Sequence, residues 1–420
     1  MLFLYPKPLF PACFLLLLLT GLPALAQIPD SVSAAAPPAP SASLAPPPPP
    51  TAAAGDSVEF LDRLLDFFEF DINRRKVAAQ PGTYPTKLVL APIISYSPET
   101  NWGAGAGAKF LFKLPKSGEE TRTSNLPISA QYTLNNQLLL YSGYTVFFPR
   151  EAFILKGNLE YSNFPRLFYG IGNNTPHTNE EVYGYRTFLF EPLLVKRVVG
   201  KLFLGGGFRY LSVGGVELEK DSPLNQSTVP GVRGSRSTGI ETALTYDTRD
   251  NVLNATRGML AEATHGWYDS RFGGNQQYEL TKIDTRQYWA LGHHRGGRSV
   301  LAAQLYGYFA TGAVPLLEYG ALGGGDLMRG YYEGRFLDRS YAAAQVEFRR
   351  PVSRRFGFVA FASAGRVADK VSDFSFSHIK PAVGSGVRFK IVKAENLNLR
   401  FDAAVGKDTY NFYFNVAEAF

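Results

Sequence analysis

One cysteine, three methionines and five histidines occur in 420 residues, and each scarcity removes a class of chemistry. The cysteine, Cys13, lies in an N-terminal segment that reads as a secretory signal: Lys7, the apolar run Phe14 to Leu19, then Ala24-Leu25-Ala26, a small-x-small cleavage pattern. Cleavage after Ala26 is expected, and Cys13 then leaves with residues 1–26. The remaining chain has no cysteine, which excludes disulfides, thiolate zinc sites and cysteine nucleophiles. Beyond the signal no apolar run is long enough to span a bilayer as a helix, so a helical membrane protein is excluded. His293-His294 is flanked by Arg295 and Arg298, an environment that repels a metal cation. His265 is the one histidine on a clear strand. It shares a face with Ala263 and Trp267, and both a lipid-facing and a lumenal position are open to it. No Ser/His/Asp set can be assembled, so no enzyme, no metal and no cofactor are expected.

Glycine (41), phenylalanine (32) and tyrosine (23) are plentiful instead, a balance that favours aromatic, glycine-punctuated strands. The formal charge of +7 suits anionic lipid, lipopolysaccharide or nucleic acid equally and selects none of them. Residues 27–55 are almost wholly Ala, Pro and Ser and read as a disordered, extended tether. Residues 56–80 contain Phe60, Leu61, Leu64, Leu65, Phe67 and Phe68 at helical spacing, which predicts one short amphipathic helix.

From 87 to 420 the pattern has a period of two throughout. Leu397, Leu399, Phe401, Ala403 and Val405 fall on one face, and Asn398, Arg400 and Asp402 on the other. Sixteen such segments can be read, from 88–95 to 410–420, each about ten residues long, the length that crosses a membrane at barrel tilt. The long links (163–182, 214–236, 312–339 and 368–379) all join an odd strand to the next even one and share a rim, while turns such as Pro149-Arg150-Glu151 occupy the other. The expected fold is all-β, a 16-stranded antiparallel transmembrane barrel with short periplasmic turns and long surface loops. Gly103, Gly105 and Gly107 lie two apart on one face of a strand, where they leave room in the lumen or let another element approach closely, rather than forming a nucleotide loop.

The most informative stretch is Leu322 to Phe348, where Met328-Arg329-Gly330-Tyr331 precedes Tyr341-Ala-Ala-Ala-Gln-Val-Glu-Phe-Arg-Arg-Pro. Together with Tyr246-Asp-Thr-Arg-Asp-Asn251, Thr256-Arg-Gly258, Leu399-Arg-Phe-Asp402 and Phe420, it resembles the bacterial surface-antigen superfamily. That superfamily comprises the barrels of the Bam-complex insertase, the Tam assembly factor and the two-partner-secretion transporters. The resemblance implies that the loop between strands eleven and twelve folds back into the lumen with Arg329, Gly330 and Tyr331 at its tip. Glu347 alternates with Val346 and Phe348, points inward, and is the expected partner of Arg329. Relatives tend to carry an acid in the next strand, where this chain has Ser363, so one carboxylate of the latch is expected to be missing. Only about sixty residues separate Gln27 from Lys87, and the barrel is expected to lack the family's periplasmic POTRA repeats.

The implied function is insertion or translocation of polypeptides at the bacterial outer membrane; the alternative is a passive diffusion channel or structural barrel. Implied partners are outer-membrane lipid and lipopolysaccharide, a periplasmic accessory protein and unfolded outer-membrane protein clients, with no nucleic acid among them. Pro92 lacks an N–H inside the first strand and, with Phe414, marks an expected lateral seam. Phe412, Phe414 and Phe420 are expected to share a lipid-facing row that serves as the assembly signal.

Overall fold

The computed structural model describes residues 69–71, 84, 86–97, 100–220, 222–252, 254–294, 297–392 and 397–420. Sixteen antiparallel strands form a closed barrel: β1 (Lys87–Ser97), β2 (Asn101–Phe112), β3 (Ser124–Thr133), β4 (Leu138–Phe147), β5 (Phe153–Asn163), β6 (Glu181–Val199), β7 (Leu202–Leu218) and β8 (Ser235–Asp247), followed by β9 (Gly258–Tyr268), β10 (Tyr278–His294), β11 (Gly297–Gly312), β12 (Ser340–Pro351), β13 (Phe356–Ala368), β14 (Lys380–Val392), β15 (Leu397–Gly406) and β16 (Thr409–Val416). Each strand pairs with its sequence neighbour. No helix longer than a single 3₁₀ turn occurs among the described residues.

Burial is inverted relative to a soluble sandwich. Leu305 is 61% and Val405 55% exposed on the outer wall, whereas Arg400 and Asp402 of the same sheet are 1% and 0% exposed inside. A wall that shows its aliphatic residues outward and hides its charges requires a hydrocarbon solvent outside. The period of two therefore specifies both the strands and the surroundings they need.

The long links 164–180, 219–234, 313–339 and 369–379 lie on one rim, as expected. Link 313–339 does not stay there. It carries a two-stranded hairpin, Gly320–Leu322 against Phe336–Asp338, and its apolar residues pack inside the barrel as a core of Leu322, Met328, Tyr331, Phe336, Tyr341 and Val367. A second core, containing Phe164, Phe168, Tyr185, Leu211, Leu316 and Leu337, lies under the same rim.

Two expectations are corrected. Within the predicted helix 56–80, Glu69–Asp71 is a strand, antiparallel to the start of β1 with Phe70 opposite Leu88. A free strand edge offers unpaired backbone groups, and Glu69-Phe70-Asp71 takes them. The signal, the tether and the rest of that helix lie outside the described residues. The final strand stops at Val416 instead of reaching 420, because Ala417 turns the chain with φ of 78°. Residues 417–420 then run inside the barrel, and Phe420 is buried instead of sharing the lipid-facing row of Phe412.

Candidate functional site

The tip of link 313–339 is shaped by its backbone. Gly330 has φ of 112°, and a Cβ there would lie 3.0 Å from the backbone of Val405 and Gly406, so glycine is required both by conformation and by the close approach to β15. The Gly330 N–H donates to the Tyr413 hydroxyl at 3.0 Å, and Asn411 donates to the Gly330 carbonyl at 2.8 Å. The Tyr331 hydroxyl donates to the Pro381 carbonyl and accepts from the Lys407 N–H, both at 2.8 Å. The tip is thus sewn to β14, β15 and β16.

These bonds aim Arg329 across the lumen. Its Nη2 meets Glu347 of β12 at 2.5 Å, its Nη1 meets Asp402 of β15 at 2.6 Å, and none of the three side chains has solvent access. The guanidinium also lies 3.5 Å from the centroid of the Phe361 ring. Ser363, at the position where relatives tend to carry an acid, does not supply the second carboxylate, and its hydroxyl is buried without a hydrogen-bond partner. Asp402 fills that role from two strands further on.

The network extends beyond this pair. Arg349 binds Glu347 at 2.7 Å, Arg388 binds Asp402 at 2.5 Å and Glu418 at 2.7 Å, and Arg400 binds Asp326 at 2.8 Å. Four guanidiniums thus face three buried carboxylates, Glu347, Asp402 and Glu418, and a fourth, Asp326, whose side chain is exposed. This pairing matters because each buried charge carries a desolvation cost of several kcal/mol that only well-placed partners offset. Sequence reasoning found Arg329 and Glu347 and missed Asp402, Arg349, Arg388 and Arg400. The signal was present in the inward face of β15, where Arg400 and Asp402 alternate with Phe401.

Residues 417–420 complete the cluster. Glu418 accepts from Arg388 and Asn398, the Phe420 carbonyl accepts from Arg349 at 2.8 Å, and the Phe420 ring packs beside Tyr288. Phe412 and Phe414 remain on the outer face, Phe412 beside Phe401.

The join between β1 and β16 differs from every other join in the barrel. Among the described residues it consists of one pair, Tyr96 opposite Phe414, whereas β15 and β16 pair continuously from Leu399 opposite Val416 to Gly406 opposite Thr409. The barrel edge of β1 is thus covered by Glu69–Asp71 at its start and by Phe414 near its end, with no strand partner on that side for Leu90 to Ser95 among the described residues. Pro92 sits in this gap with Ala106 opposite on β2. The register that pairs 96 with 414 would put 418 opposite 92, but the chain has already turned inward at Ala417. Ile94 is therefore two residues out of register with Phe414.

On the short-turn rim, Glu151 is 1% exposed between Arg122 at 2.8 Å, Lys201 at 3.1 Å and Arg197 at 3.2 Å. Burial pushes its carboxyl up, but Arg122 and Lys201 outweigh burial and hold it below the usual carboxylate range. Arg150 and Glu151 both have φ near 55°, a left-handed conformation that non-glycine residues seldom adopt, and the cations around Glu151 hold it there. His265 lies on the outer face beside Trp267, with Thr281 at 2.9 Å. A Cβ on Gly105 would lie 2.1 Å from the Ala130 carbonyl, so this glycine permits close approach of β2 to β3. No group of metal-ligating side chains occurs among the described residues.

The Omp85 superfamily domain matches residues 105–420. No curated protein matches the chain. Among solved structures, BamA from Haemophilus ducreyi lacking POTRA domains 1–3 superposes with a TM-score of 0.51 at 14% identity, over 79% of this chain and 70% of that one. CdiB from Acinetobacter baumannii superposes with a TM-score of 0.52 at 12% identity, over 79% of this chain and 59% of that one. At such identities the likeness is one of fold.

Proposed function

The chain belongs to the Omp85 superfamily and lies in the bacterial outer membrane, and from that premise we propose that it inserts or translocates polypeptides there, through the seam between β1 and β16. The observation that carries this reading is the single pair, Tyr96 with Phe414, at the one join where every neighbouring join is laddered. An unpaired strand edge is a template for another extended chain, because its backbone N–H and C=O groups have no partner. In this reading Leu90 to Ser95 offers that edge to an unfolded outer-membrane protein, and Pro92 weakens its closure. A separate periplasmic protein delivers the client.

The latch disfavours a passive diffusion channel. A pore needs an open constriction, and here Arg329, Tyr331 and Leu322 occupy part of the lumen with buried side chains. Arg329, Gly330, Tyr331 and Glu347 act in this reading by holding the inserted loop while the seam opens.

The test is a cross-link. Tyr96 and Phe414 stand directly opposite, at a separation compatible with a disulfide, and no other cysteine remains once the signal is removed. In a strain dependent on this gene, the Tyr96→Cys/Phe414→Cys protein should fail to support normal outer-membrane protein content when oxidised and recover on reduction. Equal outer-membrane composition in both states would replace this reading with the channel.

A further inference from the structure

A chamber of about 650 Å³ lies in the lumen at the level where β1 ends, bounded by the walls of β3 to β7, β11 and β12 and by the base of the inserted loop. It reaches the seam, where Tyr96 of β1 and Asn415 of β16 are part of its lining. The latch occupies a different part of the lumen and leaves this space open. Its size falls in the range of small-molecule sites, and its lining decides what such a molecule would be.

Three features define the lining. Tyrosine rings form much of it, including Tyr185, Tyr306 and Tyr341, so flat apolar faces carry hydroxyls at their edges. Its arginines are already matched: Arg166 binds Glu333 at 2.8 Å, and Arg209 binds Glu318 at 2.6 Å and Glu191 at 3.0 Å. One carboxylate is left over. Glu160 lies on the inward face of β5, between outward neighbours, and among the described residues it accepts no hydrogen bond and forms no ion pair. The Tyr341 hydroxyl is buried without a hydrogen-bond partner, in a residue 4% exposed. A buried polar group without a partner is costly, and the Tyr341 hydroxyl together with the half-buried, unpaired carboxylate of Glu160 points to a ligand that supplies donors and acceptors.

The surplus carboxylate repels phosphate and other anions, and the polar lining disfavours an acyl chain. A sugar ring fits both demands: its hydroxyls donate to a carboxylate and accept from tyrosine and glutamine, while its C–H face stacks on an aromatic ring. We propose that this chamber is a binding site for a neutral oligosaccharide unit, either free or as the headgroup of a glycolipid entering through the seam. The site is independent of polypeptide insertion, and its failure would leave that reading untouched.

The experiment uses the full chain in lauryldimethylamine oxide, a detergent without sugar, titrated calorimetrically with maltotriose, triacetylchitotriose, trigalacturonate and trilysine. Saturable binding of at least one neutral trisaccharide is expected, with no binding of trigalacturonate. Glu160→Leu and Tyr306→Leu should each weaken it about tenfold or more, while Tyr306→Phe, which keeps the ring, retains most of it. Heat-modifiable migration identifies which variants are folded. Failure of both neutral sugars to saturate, equal binding by the folded Leu variants, or tighter binding of trilysine would each overturn the proposal. A maltotriose-bearing lipid in nanodiscs then separates the sources. Tighter binding than free maltotriose, abolished by the Tyr96–Phe414 cross-link, supports a glycolipid headgroup; equal binding supports a free glycan.

Discussion

Arg329 is held by three groups at once, Glu347, Asp402 and the face of Phe361, with no access to water. Its removal would leave the buried carboxylates of Glu347 and Asp402 each short of a charge-assisted partner. Arg329→Ala should therefore cost on the order of 3–5 kcal/mol, seen as a lower temperature for the heat-modifiable shift. Arg329→Lys should fall well short of rescue, since an ammonium cannot reproduce the planar fork that spans two carboxylates and stacks on a ring. Glu151 gives a prediction of opposite character, in pH. Its carboxyl is held below the ordinary value, so its stabilisation is present above that value and is lost as pH falls through the depressed one. Glu151→Gln should destabilise the barrel at neutral pH, and the difference from the parent should close on acidification. A difference that persists in strong acid would assign the effect to packing instead of charge.

At the scale of elements, the final segment behaves unlike a lipid-facing strand end. Phe420 contributes a buried ring beside Tyr288 and covers Arg349. Phe420→Ala should cost about 3–5 kcal/mol, the usual range for a buried phenylalanine, and expose Arg349 to water. If the variant folds with parental stability but is depleted from the outer membrane, recognition by the insertion machinery is the role of Phe420 instead. The sixteen strands were legible because the period of two recurs without interruption, and the inward direction of Glu347 followed from the same alternation. Asp402 was not assigned to the latch because its meeting with Arg329 requires barrel closure across 73 residues of sequence, which no local pattern encodes. Glu69–Asp71 was read as helix because Phe60 to Phe68 carry a helical spacing that runs up to it. The inward turn at Ala417 was missed because Phe412, Phe414 and Phe420 continue the alternation on paper.

For the whole molecule, uneven pairing predicts uneven stability. Amide hydrogen exchange in nanodiscs should be fastest among barrel strands at Leu90 to Ser95 and slow in β15, which is paired on both sides. Uniform protection around the barrel would mean that the seam is closed in the membrane. The one weak join also changes what kind of object the barrel is. Among the described residues, fifteen laddered joins and a single bridging pair make something near a split ring, with the inserted loop packed against its inner wall. A closed hoop resists a change of perimeter everywhere at once. A split one yields at its gap, and in the proposed reading each strand admitted there would lengthen the perimeter by about 4.8 Å while the existing joins keep their register.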